Sequence, residues 1–380
     1  MTPPVLTRLG KHSVAWFMRE AWQRRPLLIR QALPGFRSPV TRDQLFALAA
    51  HDDVESRCVT AFGGRWRLAH GPFEHPALPP VKRRDWTLLV QGIDLHLPAA
   101  HQLLQRFRFV SDARLDDLMA SYATDGGGVG PHVDSYDVFL IQAHGRRRWR
   151  ISRQRDLALV DGLPLKILAD FRPAVEWVLD PGDMLYLPPG VAHDGVALGE
   201  CITLSVGFRA PAWQELAEPW FLQQADRTRL AGRYGDPGAP PTRRPGRLPA
   251  AMVEETWRRL SRLRPRRSDA VEMLLAQLTE PKPQVVFDRP RRPLGLAAFA
   301  QAAAEGRLQL HADRRSRCLY AGRRFAINGE VCAPAAFDER LARLADARQL
   351  DAQSLRGAPA ALLRLLHDWH AAGWLHAAKV

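Results

Sequence analysis

Long apolar runs are missing from this 380-residue chain, and with them any candidate membrane-spanning helix. The first thirty residues lack the uninterrupted apolar core of a signal peptide, because Arg8, Lys11, Arg19, Glu20, Arg24 and Arg25 break them up. Cysteine is scarce. Cys58, Cys201, Cys318 and Cys332 lie far apart and form no Cys-x-x-Cys pair. That spacing excludes a zinc ribbon or a disulfide framework and predicts free, buried thiols in a reducing compartment. No internal repeat or heptad array is present. The expectation is a cytoplasmic protein with no membrane contact.

Arginine, by contrast, is plentiful, and the formal net charge is +14. Such a charge points to a polyanionic partner such as RNA, or to a protein partner that itself binds RNA. Arginine is spread along the chain rather than gathered in one tract, and alanine and proline are abundant too, as in proteins of GC-rich genomes. Direct nucleic-acid binding is therefore not the favoured reading. At 46% hydrophobic residues the chain can bury a sizeable core, and its length allows two or three domains.

Composition changes near residue 210. Before it, short β-type segments alternate with turns, and the metal motif described below sits among them. After it, helical patterns run from Trp213 to Leu230, from about Ala251 through Val253, Trp257, Leu260 and Leu263, and from Ser268 to Leu278. A Pro/Gly/Arg-rich linker is expected from Asp236 through Pro249. The stripes at Trp220, Phe221, Trp257 and Leu260 have the pattern of core faces. The last ninety or so residues predict a separate small domain. It has a helix at Leu296–Ala304, strands at Cys318–Tyr320 and Arg324–Ile327, and helices near Ala336–Leu344 and Ala360–Ala372. This helix, hairpin and helix order fits a winged-helix-like module, a fold that serves nucleic-acid and protein partners alike. The boundaries expected are 1–210 for a catalytic domain, 211–285 for a helical segment and 286–380 for the C-terminal domain.

The stretch from Gly126 to Gln142 carries the chemistry. A glycine run leads into His132-Val-Asp134 and then a strand. In an extended segment residues i and i+2 point to one side, so both side chains can reach one metal ion. A third ligand is expected from a distant strand. Asp180-Pro-Gly-Asp183 signals a turn, Met184–Leu187 a strand, and Pro188-Pro189-Gly190 then bends the chain toward His193. Two histidines and a carboxylate on one face of an octahedron leave open positions and suit a non-haem Fe(II) oxygenase. Val138–Ala143 is expected to turn at His144-Gly145 and return as Arg146–Arg150. Alternation would then aim Arg147 into the barrel, where a planar guanidinium can hold a carboxylate by two parallel hydrogen bonds.

These residues closely resemble the Jumonji-C branch of the cupin superfamily, and more narrowly the bacterial ribosomal oxygenases. The resemblance rests on Gly126–Gln142, Gly145–Arg150, Pro181–Gly190 with His193, Ser205–Pro211, His70–Phe73 and Trp86–Gln91, and on the order of parts. It implies an α+β chain: a double-stranded β-helix, a helical dimerisation segment and a winged-helix-like C-terminal domain. It implies Fe(II) on His132, Asp134 and His193, with 2-oxoglutarate and O2 as co-substrates. The distal carboxylate of 2-oxoglutarate would lie on Arg147 with a hydroxyl contact from Ser121. It also implies a homodimer and, as reaction, hydroxylation at C3 of an arginine in the sixteenth large-subunit ribosomal protein. Tyr136, Asp125, Asp137 and Asp194 are candidate walls for that cationic side chain.

Two other readings stay open. One is histidine hydroxylation on another ribosomal protein. The other is a non-catalytic module that helps ribosome assembly through its basic surface. Retention of His132, Asp134, His193 and Arg147 together weighs against the second.

Overall fold

The computed structural model describes residues 3–74, 77–231, 233–235, 237 and 248–379. A short hairpin, β1 (Arg8–Leu9) and β2 (His12–Ser13), leads into α1 (Val14–Glu20) and β3 (Leu27–Ile29). Helix α2 (Arg42–Ala49) starts on a capping box: Thr41 Oγ1 accepts from Gln44 N at 3.3 Å and Gln44 Oε1 accepts from Thr41 N at 3.0 Å. Strands β4 (Ser56–Phe62), β5 (Arg65–His70) and β6 (Trp86–Val90) follow, then α3 (Pro98–Gln105) and β7 (Leu115–Ala123). Four more strands complete the sheet: β8 (Val138–Ser152), β9 (Val175–Leu179), β10 (Met184–Leu187) and β11 (Ala192–Phe208).

These strands, from β3 onward, form one nine-stranded sheet of order β3-β10-β8-β11-β7-β6-β4-β5, with β9 also paired to β8. Its pairs are antiparallel. The long strands β8 and β11 make it curl. The first half of β8 pairs with β10 and the second half with β9, while β11 runs along both halves. The core on one side is aromatic: Phe17 packs at 5.3 Å from Phe139 and 4.9 Å from Tyr186, and Phe139 at 5.8 Å from Phe208.

The turn expected at His144-Gly145 is not a reversal. β8 runs straight through as one fifteen-residue strand. Gly145 takes a positive φ of 61°, and a Cβ there would lie 2.1 Å from the carbonyl oxygen of Glu200. The register with β11 shifts between Leu198 and Ile202 at the same place. A bulge bends the strand where a hairpin was expected. Alternation survives the bend, so Arg147 is still buried while Arg146 is exposed.

Beyond the sheet come α4 (Trp213–Arg227), α5 (Ala250–Leu260) and α6 (Arg267–Thr279). Ser268 falls inside α6 rather than at its cap; Asp269 instead accepts from the Arg266 backbone N–H at 2.8 Å. The expected linker from Asp236 through Pro249 lies largely outside the described residues. The apolar stripes of α4 and α5 are not core: neither helix buries a residue, and Trp213, Phe221 and Trp257 are 88%, 68% and 67% exposed.

The C-terminal unit combines α7 (Leu296–Ala304), β12 (Leu308–Ala312), β13 (Cys318–Ala321), β14 (Arg324–Ile327), β15 (Glu330–Val331), α8 (Glu339–Ala347), β16 (Gln349–Leu350), α9 (Ala352–Leu355), α10 (Ala360–Ala371) and β17 (Leu375–Lys379). Its core gathers Phe299, Phe325, Leu341, Leu366 and Trp369. Strands β12 and β17, which pair with each other, went unforeseen. Arg108 ties this unit to the sheet domain, donating to the backbone carbonyls of Ala345 and Asp346 at 2.7 and 2.6 Å. All four cysteines are free and buried. Among the described residues no helix is long and apolar enough to cross a membrane.

Candidate active site and metal centre

His132 and Asp134 lie in an extended loop just before β8, and His193 at the start of β11. The loop is stitched to the strand by its own backbone. His132 N donates to His193 O and His193 N to His132 O, both at 2.9 Å, and Gly190 N donates to Asp134 O at 2.8 Å. The Pro-Pro-Gly bend therefore delivers His193 beside the His-x-Asp pair through main-chain hydrogen bonds.

Each imidazole is also oriented. Nδ1 of His132 lies 2.9 Å from Gly130 O and Nδ1 of His193 lies 2.9 Å from Val191 O. A carbonyl can only accept, so each Nδ1 carries the proton and each Nε2 presents a lone pair. Nε2 of His132 is 3.9 Å from Asp134 Oδ1, and Nε2 of His193 is 3.6 Å from Asp134 Oδ2. Burial, then the neighbouring His132, pushes the His193 pKa down to about 4, so its ring is neutral at physiological pH. One donor atom from each of the three lies within 4.8 Å of the others. The donor set of two imidazoles and one carboxylate fits a divalent first-row metal that keeps open positions.

These side chains open on a cavity of about 790 Å³. Arg147 lies in its wall, only 3% exposed. Its guanidinium donates to Ser121 Oγ at 3.0 Å, Thr203 Oγ1 at 3.4 Å and Gly195 O at 3.3 Å, and sits 5.3 Å from the Trp149 ring. Every one of these partners is neutral, and Nε is buried with no partner. A buried cation without an anion is costly. The unsatisfied donor therefore marks where a carboxylate belongs.

Several of these residues escaped the sequence reasoning. Thr203 is the cross-strand neighbour of both Ser121 and Gln142, and its hydroxyl donates to Gln142 Oε1 at 3.0 Å. Gln142 in turn donates to His144 O and Gly145 O. Trp149 lies across from Gly195, where a Cβ would come within 2.7 Å of the indole, so only glycine leaves it room. Asp116, Asp117 and Lys282 also line the cavity. Strand pairing brings Thr203, Trp149, Asp116 and Asp117 to the site, whereas Lys282 arrives from the segment after α6, which no local pattern signals.

Of the candidate substrate contacts, Tyr136 lines the cavity. Desolvation, then the carboxylates of Asp134 and Asp117, raises its phenol pKa. The three aspartates are corrections. Asp125 faces solvent, pairing with Arg84 at 2.6 Å and accepting from Gly199 N at 2.8 Å. Asp137 is fully buried and accepts from Tyr186 at 2.6 Å, Gln23 at 2.9 Å and Arg114 at 3.1 Å. Asp194, next to His193 on an alternating strand, points the other way and pairs with Arg150 at 2.5 Å. None of the three lines the cavity. Arg150, expected to be solvated, is thus half-buried and paired.

Residues 102–216 match the model of the JmjC domain. Residues 266–376 match the ROXA-like winged helix, which settles the architecture of the C-terminal unit. Over 231 residues the chain is 40% identical to the ribosomal protein uL16 3-hydroxylase of Escherichia coli, covering 60% of this chain and 61% of that one. It is 36% identical to a probable ribosomal oxygenase of Haemophilus influenzae over 53% of this chain and 51% of the relative. The aligned parts thus span less than two thirds of these curated relatives. In structure the likeness is longer. Escherichia coli YcfD superposes with a TM-score of 0.85 at 29% identity, over 98% of this chain and all of that one. A structure of YcfD with cobalt and 2-oxoglutarate superposes with a TM-score of 0.81, over 97% of this chain.

Proposed function

We propose that this chain, with its JmjC-type domain at residues 102–216, is a cytoplasmic Fe(II)- and 2-oxoglutarate-dependent oxygenase that hydroxylates an arginine of the sixteenth large-subunit ribosomal protein at C3. The observation that carries the oxygenase reading is the pairing of two incomplete sites in one cavity. Three donors await a metal, and a buried guanidinium awaits an acid. His132, Asp134 and His193 would hold Fe(II); Arg147 and Ser121 would hold the distal carboxylate of 2-oxoglutarate, with Thr203 and Gln142 orienting that end. When bound, the iron with its co-substrates supplies oxidation of an unactivated C–H bond.

The chain's own part is geometry and exclusion of water. The hydrogen bonds from each Nδ1 keep both Nε2 atoms aimed inward without need of a strong general base. The choice of a cationic substrate is supported by the acids along the cavity, Glu55, Asp116 and Asp117, and by the names of the relatives. The test is incubation of the purified chain, Fe(II) and 2-oxoglutarate with a peptide of the ribosomal protein. One oxygen atom added at an arginine β-carbon is expected. Oxidation of histidine peptides instead would move the reading to the histidine hydroxylases, and no succinate with any ribosomal peptide would favour an assembly module.

The functional division would follow 1–210 for catalysis, 211–285 for dimerisation and 286–380 for substrate reception. Trp213, Phe221 and Leu222 on α4, with Val253, Trp257 and Leu260 on α5, are large apolar side chains left exposed on two helices that bury no residue. A second copy of the chain is the occupant proposed for them. A monomer by light scattering at micromolar concentration would reject that assignment.

A further inference from the structure

On β7 alternate residues line one wall of the cavity: Ser121 beside Arg147, then Met119, then Asp117. Asp117 is 3% exposed and its carboxylate is already occupied. Lys282 Nζ donates to its Oδ2 at 2.6 Å and lies 3.6 Å from Asp116, while Gln91 Nε2 donates at 3.0 Å. Lys282 does not belong to the sheet. It stands on the Pro281-Lys282-Pro283 segment that follows α6, within the stretch matched by the winged-helix model, and it lines the same cavity as the three metal donors together with Pro283 and Gln284. The flanking prolines restrict the backbone that carries it.

Resting on the function proposed above, the geometry points to Lys282 as an internal stand-in for the substrate's cationic side chain: its ammonium occupies Asp117 until an incoming guanidinium takes its place.

The chemistry supports an exchange of this kind. Asp117 acts electrostatically on a second buried acid, Asp94, whose Oδ1 accepts from Leu118 N at 2.8 Å. Burial and the nearby Asp117 push the Asp94 pKa up to about 7. Burial alone would lower the pKa of Lys282, but Asp117 and Asp116 outweigh it and push it up to about 12. Without substrate, the Lys282 ammonium is the cation that holds the Asp117 carboxylate, with Asp116 close by. An ammonium is a point charge that favours one oxygen. A guanidinium is a planar fork that takes both oxygens at once and sheds water more readily. Arginine can therefore displace Lys282, whereas a substrate lysine would offer Asp117 only what it already has. The resident lysine becomes a filter for arginine.

The test uses the full chain with Fe(II), 2-oxoglutarate and the arginine peptide. A binding site occupied by an internal competitor shows an affinity reduced by the occupied fraction, so Lys282→Met is expected to lower KM for the peptide by about fivefold, the effect falling on KM rather than kcat. An unchanged or higher KM overturns the inference. Should the variant not fold, the wild type answers by mass spectrometry of amine acylation. Labelling of Lys282 should rise when the arginine peptide binds and stay level with a peptide carrying norleucine instead. No rise, or an equal rise with both, overturns it. A wild type that leaves arginine peptides unoxidised rejects the proposed function and this inference with it. An active wild type beside an unaltered variant KM rejects this inference alone.

Discussion

Replacing Arg147 by methionine separates the anchoring role of its guanidinium from every other role the residue could have. Among the described residues this cation has only neutral partners: a serine and a threonine hydroxyl and one backbone carbonyl, with Nε unsatisfied. If its purpose is to hold the distal carboxylate, two parallel charge-assisted hydrogen bonds are lost, worth about 3–4 kcal/mol together. At about 1.4 kcal/mol per tenfold, KM for 2-oxoglutarate should rise by two to three orders of magnitude.

The decisive control is 2-oxobutyrate, which keeps the keto-acid head and has no distal carboxylate. Wild type and variant should use it with KM values within about threefold of each other, because the interaction removed by mutation is already absent from the ligand. Succinate or propionate release measures both arms. Binding of 2-oxoglutarate stabilises the folded state by about 2.7 kcal/mol at a hundred times its Kd, so the wild type should melt several degrees higher in its presence and the variant should not. Without ligand the variant should melt no lower than wild type, since a buried cation without an anion has been removed. A rise in KM below about fivefold, or equal damage with 2-oxobutyrate, would refute the assignment.

Asp134→Ala removes the one anionic ligand; Mn(II) binding by calorimetry and turnover should both vanish while circular dichroism stays native, and a lost fold would mean a structural role. Gly195→Ala places a Cβ 2.7 Å from the Trp149 ring, behind both His193 and Arg147. It should cost about 1–3 kcal/mol of stability by overpacking and reduce turnover, and a neutral outcome would show that Trp149 can move freely. Asp94 ionises late in the fold, its pKa raised from 3.8 to about 7. The folded chain then holds more protons than the unfolded one between those values, so this residue subtracts stability as pH rises through that window. Asp94→Asn keeps an acceptor for Leu118 N and removes the effect. Urea midpoints should show wild type losing ground to the variant between about pH 4 and pH 7, and parallel curves would contradict the shift.

What the sequence disclosed was local. His132-x-Asp134 could be read because an extended chain puts alternate side chains together, and Pro188-Pro189-Gly190 because its backbone options are few. The helices at Leu296–Ala304 and Ala360–Ala371 were legible within a residue, since a 3.6-residue period and a flanking proline mark them. Contacts set by pairing were hidden. Thr203 meets Ser121 and Gln142 only because β11 lies between β7 and β8, and no spacing along the chain says so. Gly145 carries the same turn signal whether the strand reverses or merely bends, and the carbonyl of Glu200, fifty-five residues on, decides it. Asp137 and Asp194 were plausible substrate contacts by proximity to the ligands. Burial against Tyr186 and Arg150 removed them, and strand alternation alone could have excluded Asp194. The stripes of α4 and α5 show the limit of periodicity: it marks a face that wants covering, without saying whether the same chain covers it.

The cavity's two ends differ in a way that bears on the order of binding. At the Arg147 end a cation is held without an anion, so an entering dianion gains charge pairing and displaces no protein group. At the Asp117 end an anion is held with its cation, so an entering guanidinium must first give Lys282 somewhere else to go. The co-substrate site is therefore ready before substrate arrives, and the substrate site carries an opposing term that only a better cation overcomes. Affinity for 2-oxoglutarate should be largely independent of the peptide, whereas peptide affinity should respond to every change at Lys282. That asymmetry suits an oxygenase, because activation of oxygen is useful only once the C–H bond to be oxidised is in place.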